Sequence, residues 1–309
     1  MSFTDDELEQ HCKYILGERR IKNKIVILCE GGRYDGKERL SPQSYRRMEE
    51  LPDANFYNAC IPSYWRERRP QFFNCGDRHD TLSTYFKLLE LQNQPELSYL
   101  SPDLLFALVD IDLHTAKIEN REYGFADTEE IFHDLYLNLK IQPDKLSQHR
   151  IWVTGLMHKE AYFINPALQS IFDEYEISIE YRESSINLYS VYQDIITDLE
   201  RDPDLCQHFT KAIKRISHCD KLNLQTPQLL AESWQKFYNF PEKVETELIF
   251  GLLAIAKSKP YWQKVMANSP SRQREALSLQ IARRFYAEQN GEDCDLYHLP
   301  CFFTYLYNL

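Results

Sequence analysis

Short runs of mainly apolar residues recur along the first half of the chain. Four of them are Ile25–Cys29, Asn55–Ile61, Leu104–Val109 and Arg150–Thr154. Each run ends at a glycine, a proline or an acidic residue, and such runs are typical of strands that are buried on both faces of a parallel sheet. The pattern therefore predicts four strands.

Segments with helical spacing of apolar residues separate these runs. They are Tyr45–Leu51, Thr81–Leu91 and Thr128–Leu139, the last of which follows a capping residue at Asp127. Strands that alternate with helices imply right-handed crossovers between parallel strands. The prediction is an α/β domain whose parallel sheet is flanked by helices.

The pattern changes after Leu168. Glu176–Tyr181 alternates between polar and apolar residues as an edge strand does, and the chain beyond Ile186 is almost wholly helical in spacing. The predicted helices are Tyr189–Arg201, Cys206–Ser217, Thr226–Tyr238, Pro241–Ala256, Pro260–Met266 and Ser271–Gln289. We expect an α/β domain with an N-terminal helix at residues 1–195 and a helical C-terminal domain at 196–309.

The charge balance restricts how the chain can meet nucleic acid. Its 36 basic and 47 acidic residues give a net charge of −11, so the overall field would repel phosphates, although a local basic groove or a metal cluster would not. No segment approaches the ~20 apolar residues that span a bilayer, and the N-terminus is acidic where a signal peptide is basic. We expect a cytoplasmic protein without a membrane partner.

The eight cysteines are spread along the chain without a CxxC pair, and we interpret them as buried thiols of a reducing compartment. A zinc site is the less favoured interpretation. It would use Cys294, His298 and Cys301, with Cys206, His208, His218 or Cys219 as further candidates.

Acidic residues stand where predicted strands end. Glu30 directly follows the first strand, and Asp110 and Asp112 follow the third. Ligands bind at the carboxyl ends of the strands of an open parallel sheet. Two aspartates spaced i, i+2 on extended chain face the same side, and hard oxygen ligands suit Mg²⁺ or Mn²⁺. The alternative is that these acids merely cap the loops after the strands.

The ordered set of an apolar strand, Glu30-Gly31, and LFALVDID with Asp110 and Asp112 resembles the toprim fold, a Rossmann-like sheet shared by topoisomerases, primases and the OLD nucleases. The resemblance covers about residues 20–165. It implies a metal-dependent nuclease in which these acids hold Mg²⁺ or Mn²⁺, with Glu30 as a ligand or as general acid and base.

The resemblance implies two further acidic residues for the site. The segment Thr154–Phe163 is similar to the one after the last strand of small OLD-like toprim nucleases, which implies that Glu160 joins the metal site. A second acid usually lies about four residues after the first glutamate, whereas here Asp35 is the nearest candidate. Size and helical tail are most similar to the toprim effector subunits of PARIS anti-phage systems, which implies regulated cleavage of RNA, such as tRNA, or of DNA.

Basic residues near the predicted site are candidates for phosphate binding. Arg66, Arg68 and Arg69 follow the second predicted strand, with Tyr64 and Trp65 available for stacking on bases, and a solvated loop is the plain alternative. Lys159 and His114 are further substrate-binding candidates. Because GxxxxGK[ST] and GxGxxG do not occur in the sequence, we expect any ATP site to belong to a partner subunit.

Two other functions stay open from the sequence. The chain could be a non-catalytic toprim scaffold whose helical tail docks a partner, or a transferase whose DxD holds a metal and a nucleotide-linked donor. Apolar helical stretches such as Leu248–Ala256 leave surface for a homodimer or a partner. We expect a Mg²⁺-dependent nuclease with a nucleic-acid substrate.

Overall fold

The fold is built on one four-stranded sheet in which all strands run parallel. The structure, a computed structural model, describes residues 3–32, 52–92, 98–120, 123–175, 178–238, 245–289 and 297–309. The strands are β1 (Val26–Cys29), β2 (Gln71–Asn74), β3 (Leu105–Ile111) and β6 (Ile151–Met157), in the order β2-β1-β3-β6. The predicted α/β fold class, with a parallel sheet and a helical C-terminal region, is confirmed.

The two central strands are β1 and β3, and their register fixes the site. Leu28 pairs with Phe73 on one side and with Ala107 on the other, so β1 and β2 end level at Cys29 and Asn74, while β3 continues to Ile111. Every residue of β1 is buried, which explains its wholly apolar sequence. The pairing of β3 with β6 becomes irregular between Val109 and Ile111, at the position of Asp110.

Helices of the first half begin at polar caps. They are α1 (Asp5–Gly17), α2 (Pro52–Ala59), α3 (Arg78–Leu91) and α4 (Thr128–Leu135). Thr4 and Glu7 form a capping box on α1, Asp77 caps α3, and Asp127 accepts two N–H groups of α4. The predicted helices starting near Thr81 and at Thr128 are confirmed, whereas the predicted helix Tyr45–Leu51 lies outside the described residues.

The prediction of the second strand is wrong. Residues Asn55–Ala59 belong to α2, which begins at Pro52 and buries Phe56 and Tyr57 on one side. Proline suits the first helical position, and these buried residues sit at helical spacing with Cys60. The true second strand, β2, is only four residues long and has polar residues at both ends, so its sequence carries a weak strand signal.

Two small hairpins and a helical region complete the chain. The hairpins pair β4 (Tyr136–Leu137) with β5 (Lys140–Ile141) and β7 (Glu180–Tyr181) with β8 (Ser184–Ser185). The later helices are α5 (Gln169–Asp173), α6 (Leu188–Leu199), α7 (Pro203–Gln207), α8 (Phe209–Arg215), α9 (Pro227–Tyr238), α10 (Thr246–Ile255), α11 (Lys259–Trp262), α12 (Ser271–Ile281) and α13 (His298–Tyr307). The predicted helix Cys206–Ser217 is divided at His208, and α12 passes into a π-helical turn at Ala282–Tyr286.

The last helix packs on the sheet that the first half of the chain forms. Its Phe302 lies with its ring centroid 3.9 Å from that of Trp152 in β6 and also contacts Phe106 in β3. A Cβ on Gly155 would lie 2.2 Å from the ring of His298, so β6 admits only glycine there while that imidazole is present. In the described part of the chain, no helix is long and apolar enough to cross a membrane.

Candidate functional site

Three acidic residues meet at the carboxyl edge of the sheet. Glu30 follows the last residue of β1, Asp110 lies near the end of β3, and Asp112 directly follows β3. The carboxylate Oε1 of Glu30 accepts the backbone N–H of Asp110 at 2.8 Å. The structure thus brings the carboxylate that follows β1 into direct contact with the backbone at the end of β3.

The Asp110 carboxylate has partners on two further elements. Its Oδ1 lies 3.4 Å from the hydroxyl of Tyr57 in α2, and its Oδ2 accepts the backbone N–H of Lys159 at 3.2 Å. Lys159 begins the 3₁₀ turn that follows β6. Asp110 is therefore oriented by a hydroxyl and a backbone amide, both of which favour an ionised oxygen facing them.

Arg78 is a member of the site that the sequence analysis missed. It is the first residue of α3, and its guanidinium donates to the carbonyl of Asp110 at 3.2 Å and to Oδ2 of Asp112 at 3.1 Å. Both partners of this ion pair are largely buried, with side chains 13% and 20% exposed. In the sequence, Arg78 is marked only by its position directly after the helix cap at Asp77. That position points to the acidic edge only when the preceding strand, β2, is correctly identified.

His158 also faces Asp112. Its Nε2 lies 3.5 Å from Oδ2 of Asp112, and its backbone adopts φ 62° at the turn after β6. That conformation is uncommon for residues other than glycine. Its Nδ1 is buried without a hydrogen-bond partner among the described residues, and so is Nε of Arg78. Two nitrogen atoms at this edge therefore remain available to an acceptor.

The charges of the site do not balance locally. Removal from water and the neighbouring charge of Asp110 raise the pKa of Glu30 to about 8. Removal from water and the charge of Glu160 raise the pKa of Asp110 to about 6, against the opposing effect of His158. For Asp112, burial is outweighed by the hydrogen bond from His158 and the charge of Arg78, so its pKa is lowered. Added positive charge would stabilise the ionised cluster.

Glu160 and Lys159 lie at the same edge. Glu160 is half-buried in the turn after β6 and is close enough for its charge to act on Asp110. Lys159 forms an ion pair with Asp53 of α2, which occupies its ammonium group. Asp35, the remaining acid predicted for the site, lies outside the described residues.

No family model, no curated protein and no solved structure matches this chain. The resemblance to toprim nucleases thus stays a prediction from the motifs. The chemistry of the site therefore follows from the residues at the edge of the sheet.

The predicted position of the arginine cluster is wrong. Arg66, Arg68 and Arg69 precede β2, because the segment before them is helix α2, and β2 starts level with the start of β1. They therefore lie at the amino edge, opposite Glu30. Arg68 contacts the ring and carbonyl of Tyr307, and Arg69 donates to the carbonyl of Asn58. Trp65 is buried and cannot stack on a base, whereas Tyr64 is exposed.

His114 lies just beyond the acids. Its backbone N–H donates to Oδ1 of Asp112 at 3.3 Å, while its exposed ring packs on His208 and lies 3.4 Å from Asp204. The loop after β3 is thus fastened to the helical region. Its imidazole lies beside the acidic edge. Among the described residues, the ring contacts His208 and Asp204 and makes no contact with the three carboxylates.

The buried Arg215 anchors the backbone of Asp112 at the end of β3. Its guanidinium pairs with both carboxylate oxygens of Glu129, donates to the carbonyl of Asp112 at 2.7 Å, and donates to the carbonyl of Ala254 at 3.2 Å. Burial opposes ionisation of Glu129, but its hydrogen bonds with Arg215 lower its pKa to about 2. One side chain therefore joins the end of β3 to α4, α8 and α10.

The carboxylates offer hard oxygen ligands, but they do not form a closed cage. In the ranges that the structure describes, no three of them bring ligand atoms within 4.8 Å of one another. Mg²⁺ usually keeps several waters and binds through one or two carboxylates and a substrate phosphate. The donor set of Glu30, Asp110, Asp112 and Glu160 therefore fits a hydrated Mg²⁺ or Mn²⁺ and does not fit a metal that demands a full protein shell.

The less favoured interpretation, a zinc site at Cys294, His298 and Cys301, is not supported by the described residues. His298 donates from Nε2 to the carbonyl of Leu139 at 2.7 Å, and its Nδ1 lies 3.2 Å from the hydroxyl of Tyr162. Burial lowers the pKa of His298 to about 4. Cys301 is disulfide-bonded, and Cys294 lies outside the described residues. The cysteines found as free thiols are Cys12, Cys29, Cys60, Cys75, Cys206 and Cys219, and all but Cys206 are buried.

Proposed function

We propose that the chain is a metal-dependent hydrolase of phosphodiester bonds in RNA or DNA. The observation that carries the proposal is the contact between Glu30 and the backbone of Asp110, because it places acids from two adjacent central strands at one point of the carboxyl edge. Ligands of open parallel sheets bind at this edge. The motif resemblance to toprim nucleases supports the same chemistry.

Asp110 and Asp112, with Glu30 and Glu160 beside them, would hold Mg²⁺ or Mn²⁺. Such a cation, when bound, neutralises phosphate charge and makes a coordinated water more acidic. These residues are suited to it because they are oxygen donors in an environment with few compensating cations.

The chain's own residues account for the remaining requirements of the reaction. Glu30 is our candidate to exchange a proton with an attacking or leaving oxygen, because its carboxylate reaches the end of β3 at this edge. Arg78 and His158 bring positive charge beside Asp112, which would attract a phosphate group to this edge. Lys159 and Asp53 stabilise each other and hold the turn after β6 against α2.

The charge of the chain affects how a polyanion reaches this edge. With a net charge of −11, attraction of a polyanion would rely on local cations, such as Arg78 and His158 among the described residues, or on a partner. The choice between RNA and DNA, a partner ATPase, a homodimer and a role in anti-phage defence all stay predictions. The non-catalytic alternative has one observation in its favour, since the Arg78–Asp112 ion pair already stabilises one of the acids.

The test is hydrolysis by the purified chain of single- and double-stranded RNA and DNA, with Mg²⁺, with Mn²⁺ and with chelator. We expect metal-dependent cleavage that falls by a factor on the order of 100 or more in Glu30→Gln and in Asp112→Asn. Glu67→Gln is the matched control, because Glu67 is exposed beside the amino edge of the sheet. Circular dichroism establishes that the variants fold.

Full activity in Glu30→Gln would contradict the proposed role of the acids. If no substrate were cleaved under any of these conditions, the scaffold alternative would replace the nuclease. The transferase alternative predicts binding of a nucleotide-sugar with Mn²⁺ and no effect of the Glu30 substitution, so the same variant separates it from the nuclease.

A further inference from the structure

A second group of metal-ligating side chains lies in the helical region. His218, Cys219 and Glu247 each offer one ligand atom, and these atoms all lie within 4.8 Å of one another. The Sγ of Cys219 is 3.7 Å from Nε2 of His218, and the same nitrogen is 3.7 Å from Oε1 of Glu247. None of these residues contributes to the acidic edge described above.

We propose that His218, Cys219 and Glu247 form a Zn²⁺ site with three protein ligands and a fourth position open to water. Thiolate, imidazole and carboxylate are the three ligand types that zinc uses, and three protein ligands with an open position is a recurrent arrangement for this metal. The thiolate disfavours Mg²⁺ and Ca²⁺, which bind oxygen.

Two of the three separations fit tetrahedral zinc, and the third, between the sulfur and the carboxylate, lies within 4.8 Å. Zinc bonds of about 2.3 Å to sulfur and about 2.0–2.1 Å to nitrogen, at a tetrahedral angle, place the two ligand atoms about 3.6 Å apart. Nitrogen and oxygen ligands come to about 3.4 Å on the same reasoning. The distances of 3.7 Å lie within a few tenths of an ångström of both values. At 3.7 Å, the His218–Glu247 pair is also too long to be a hydrogen bond.

The turn after α8 and the first turn of α10 build the group. His218 and Cys219 follow the end of α8, where Cys219 donates its N–H to the carbonyl of Ile216 at 2.9 Å and fixes the turn. Glu247 lies in the first turn of α10. Gly251, one turn further along α10, leaves space for the sulfur, because a Cβ there would lie 3.2 Å from Sγ of Cys219. The sulfur from the turn after α8 therefore lies against the same face of α10 that carries Glu247.

The three ligands are buried to different degrees, as expected for a site that a metal ion can reach from solvent. Cys219 is 3% exposed, the side chain of His218 is 8% exposed, and that of Glu247 is 57% exposed. The sulfur and the imidazole are therefore shielded, while the side of Glu247 is open to solvent. A metal ion and its water can enter and leave there without opening the core.

The test is metal binding by the full chain, which is independent of nuclease activity. We expect the metal-free protein to take up one Zn²⁺ per chain that excess Mg²⁺ does not displace, and Co²⁺ in its place to give a thiolate-to-cobalt charge-transfer band in the near ultraviolet. Cys219→Ser should abolish the band. Glu247→Gln should keep the band and weaken Zn²⁺ binding about tenfold or more.

Cys206→Ser is the matched control, because Cys206 is an exposed free cysteine of the same region and should be dispensable for both readouts. Since Cys219 is buried, its serine variant is compared with the wild type by circular dichroism, and Glu247→Gln serves as the exposed variant that should fold normally. Zinc uptake below one equivalent in the wild type, a cobalt band that persists in Cys219→Ser, or unchanged affinity in Glu247→Gln would each overturn the proposal.

Discussion

Glu30 and Asp110 are joined side chain to backbone, with Oε1 of Glu30 2.8 Å from the amide nitrogen of Asp110. The acceptor is therefore positioned by the pairing of β1 with β3 and does not depend on a bound ligand for its orientation. A hydrogen bond from a backbone amide to a carboxylate is charge-assisted. The acidic edge is pre-organised by the sheet itself.

In the metal-free protein, the stability that Glu30 and Asp110 contribute should be lost as pH rises from about 4 to 8. Glu30 and Asp110 have pKa values raised from 4.5 and 3.8 to about 8 and about 6. A group whose pKa is raised on folding stabilises the protein below its unfolded pKa, and this contribution is lost as pH rises through the folded pKa. The loss should be on the order of a few kcal/mol.

Chemical unfolding in the presence of chelator, at a series of pH values, measures this dependence. Glu30→Gln should flatten the part between about pH 6 and pH 8, because the glutamine does not titrate, while Glu67→Gln should leave it unchanged. An equally steep decline in Glu30→Gln would assign the effect to other groups.

Replacing Arg78 should damage both the fold and the reaction. Arg78→Ala removes hydrogen bonds to the carbonyl of Asp110 and to the carboxylate of Asp112, and hydrogen bonds to charged groups stabilise by about 1.5–3 kcal/mol. We expect a decrease of that size in the free energy of unfolding and a decrease of about tenfold or more in the rate of hydrolysis.

Arg66→Ala provides the comparison, because Arg66 is exposed at the amino edge of the sheet. Denaturant titration and initial rates on both variants separate the two roles. Equal losses of stability and of hydrolysis rate in Arg66→Ala and Arg78→Ala would mean that the contacts of Arg78 at the acidic edge contribute nothing specific.

Loss of Arg215 should be among the more destabilising single changes in the chain. Arg215→Met would leave the buried Glu129 carboxylate with His133 as its remaining partner among the described side chains, and breaking a buried pair from one side costs about 3–5 kcal/mol. Adding Glu129→Gln should recover part of this loss, since the unpaired charge then disappears. Lys145→Met breaks a more exposed pair with Asp134 and should cost about 0–1 kcal/mol. Thermal or denaturant unfolding of the wild type, Arg215→Met, Glu129→Gln, the double variant and Lys145→Met tests the coupling, and a loss in the double variant equal to the sum of the two single losses would refute it.

The glycine of β6 should not tolerate even a methyl group. In Gly155→Ala, the new Cβ would lie 2.2 Å from the imidazole of His298, and overpacking of this kind costs about 1–3 kcal/mol or more. Gly17→Ala is the control, because a Cβ there has nothing within 4 Å and the helix end should gain slightly from the substitution. Melting temperatures of the two variants should therefore move in opposite directions, and similar shifts would show that the strand can yield.

The sequence predicted most of the sheet, and the reason lies in burial. The strands β1, β3 and β6 are covered on both faces, so their sequences are continuous apolar runs that need no partner to be recognised. β2 has four residues, of which Gln71 and Asn74 are polar, and its identity depends on pairing with β1, a non-local property. The helical α2 took its place in the prediction because aromatic and apolar residues mark both kinds of element.

The same distinction applies to the site. The meeting of Glu30 with Asp110 could be anticipated, because both follow strands that were recognised and parallel strands present their carboxyl ends at one edge. Arg78 could not, since its place depends on β2. Arg215 reaches Asp112 from 103 positions along the chain, and no local pattern encodes such a contact.

The contact between Gly155 and His298 has a consequence for sequence variation. The imidazole fills the space of a missing side chain on the central part of β6, so these two positions, 143 residues apart, form a single steric unit. In any set of homologous chains, a residue larger than glycine at the position of Gly155 should occur only where the position of His298 holds a smaller side chain. Covariation of this pair would therefore report how the C-terminal helix packs against β6 in each homologue.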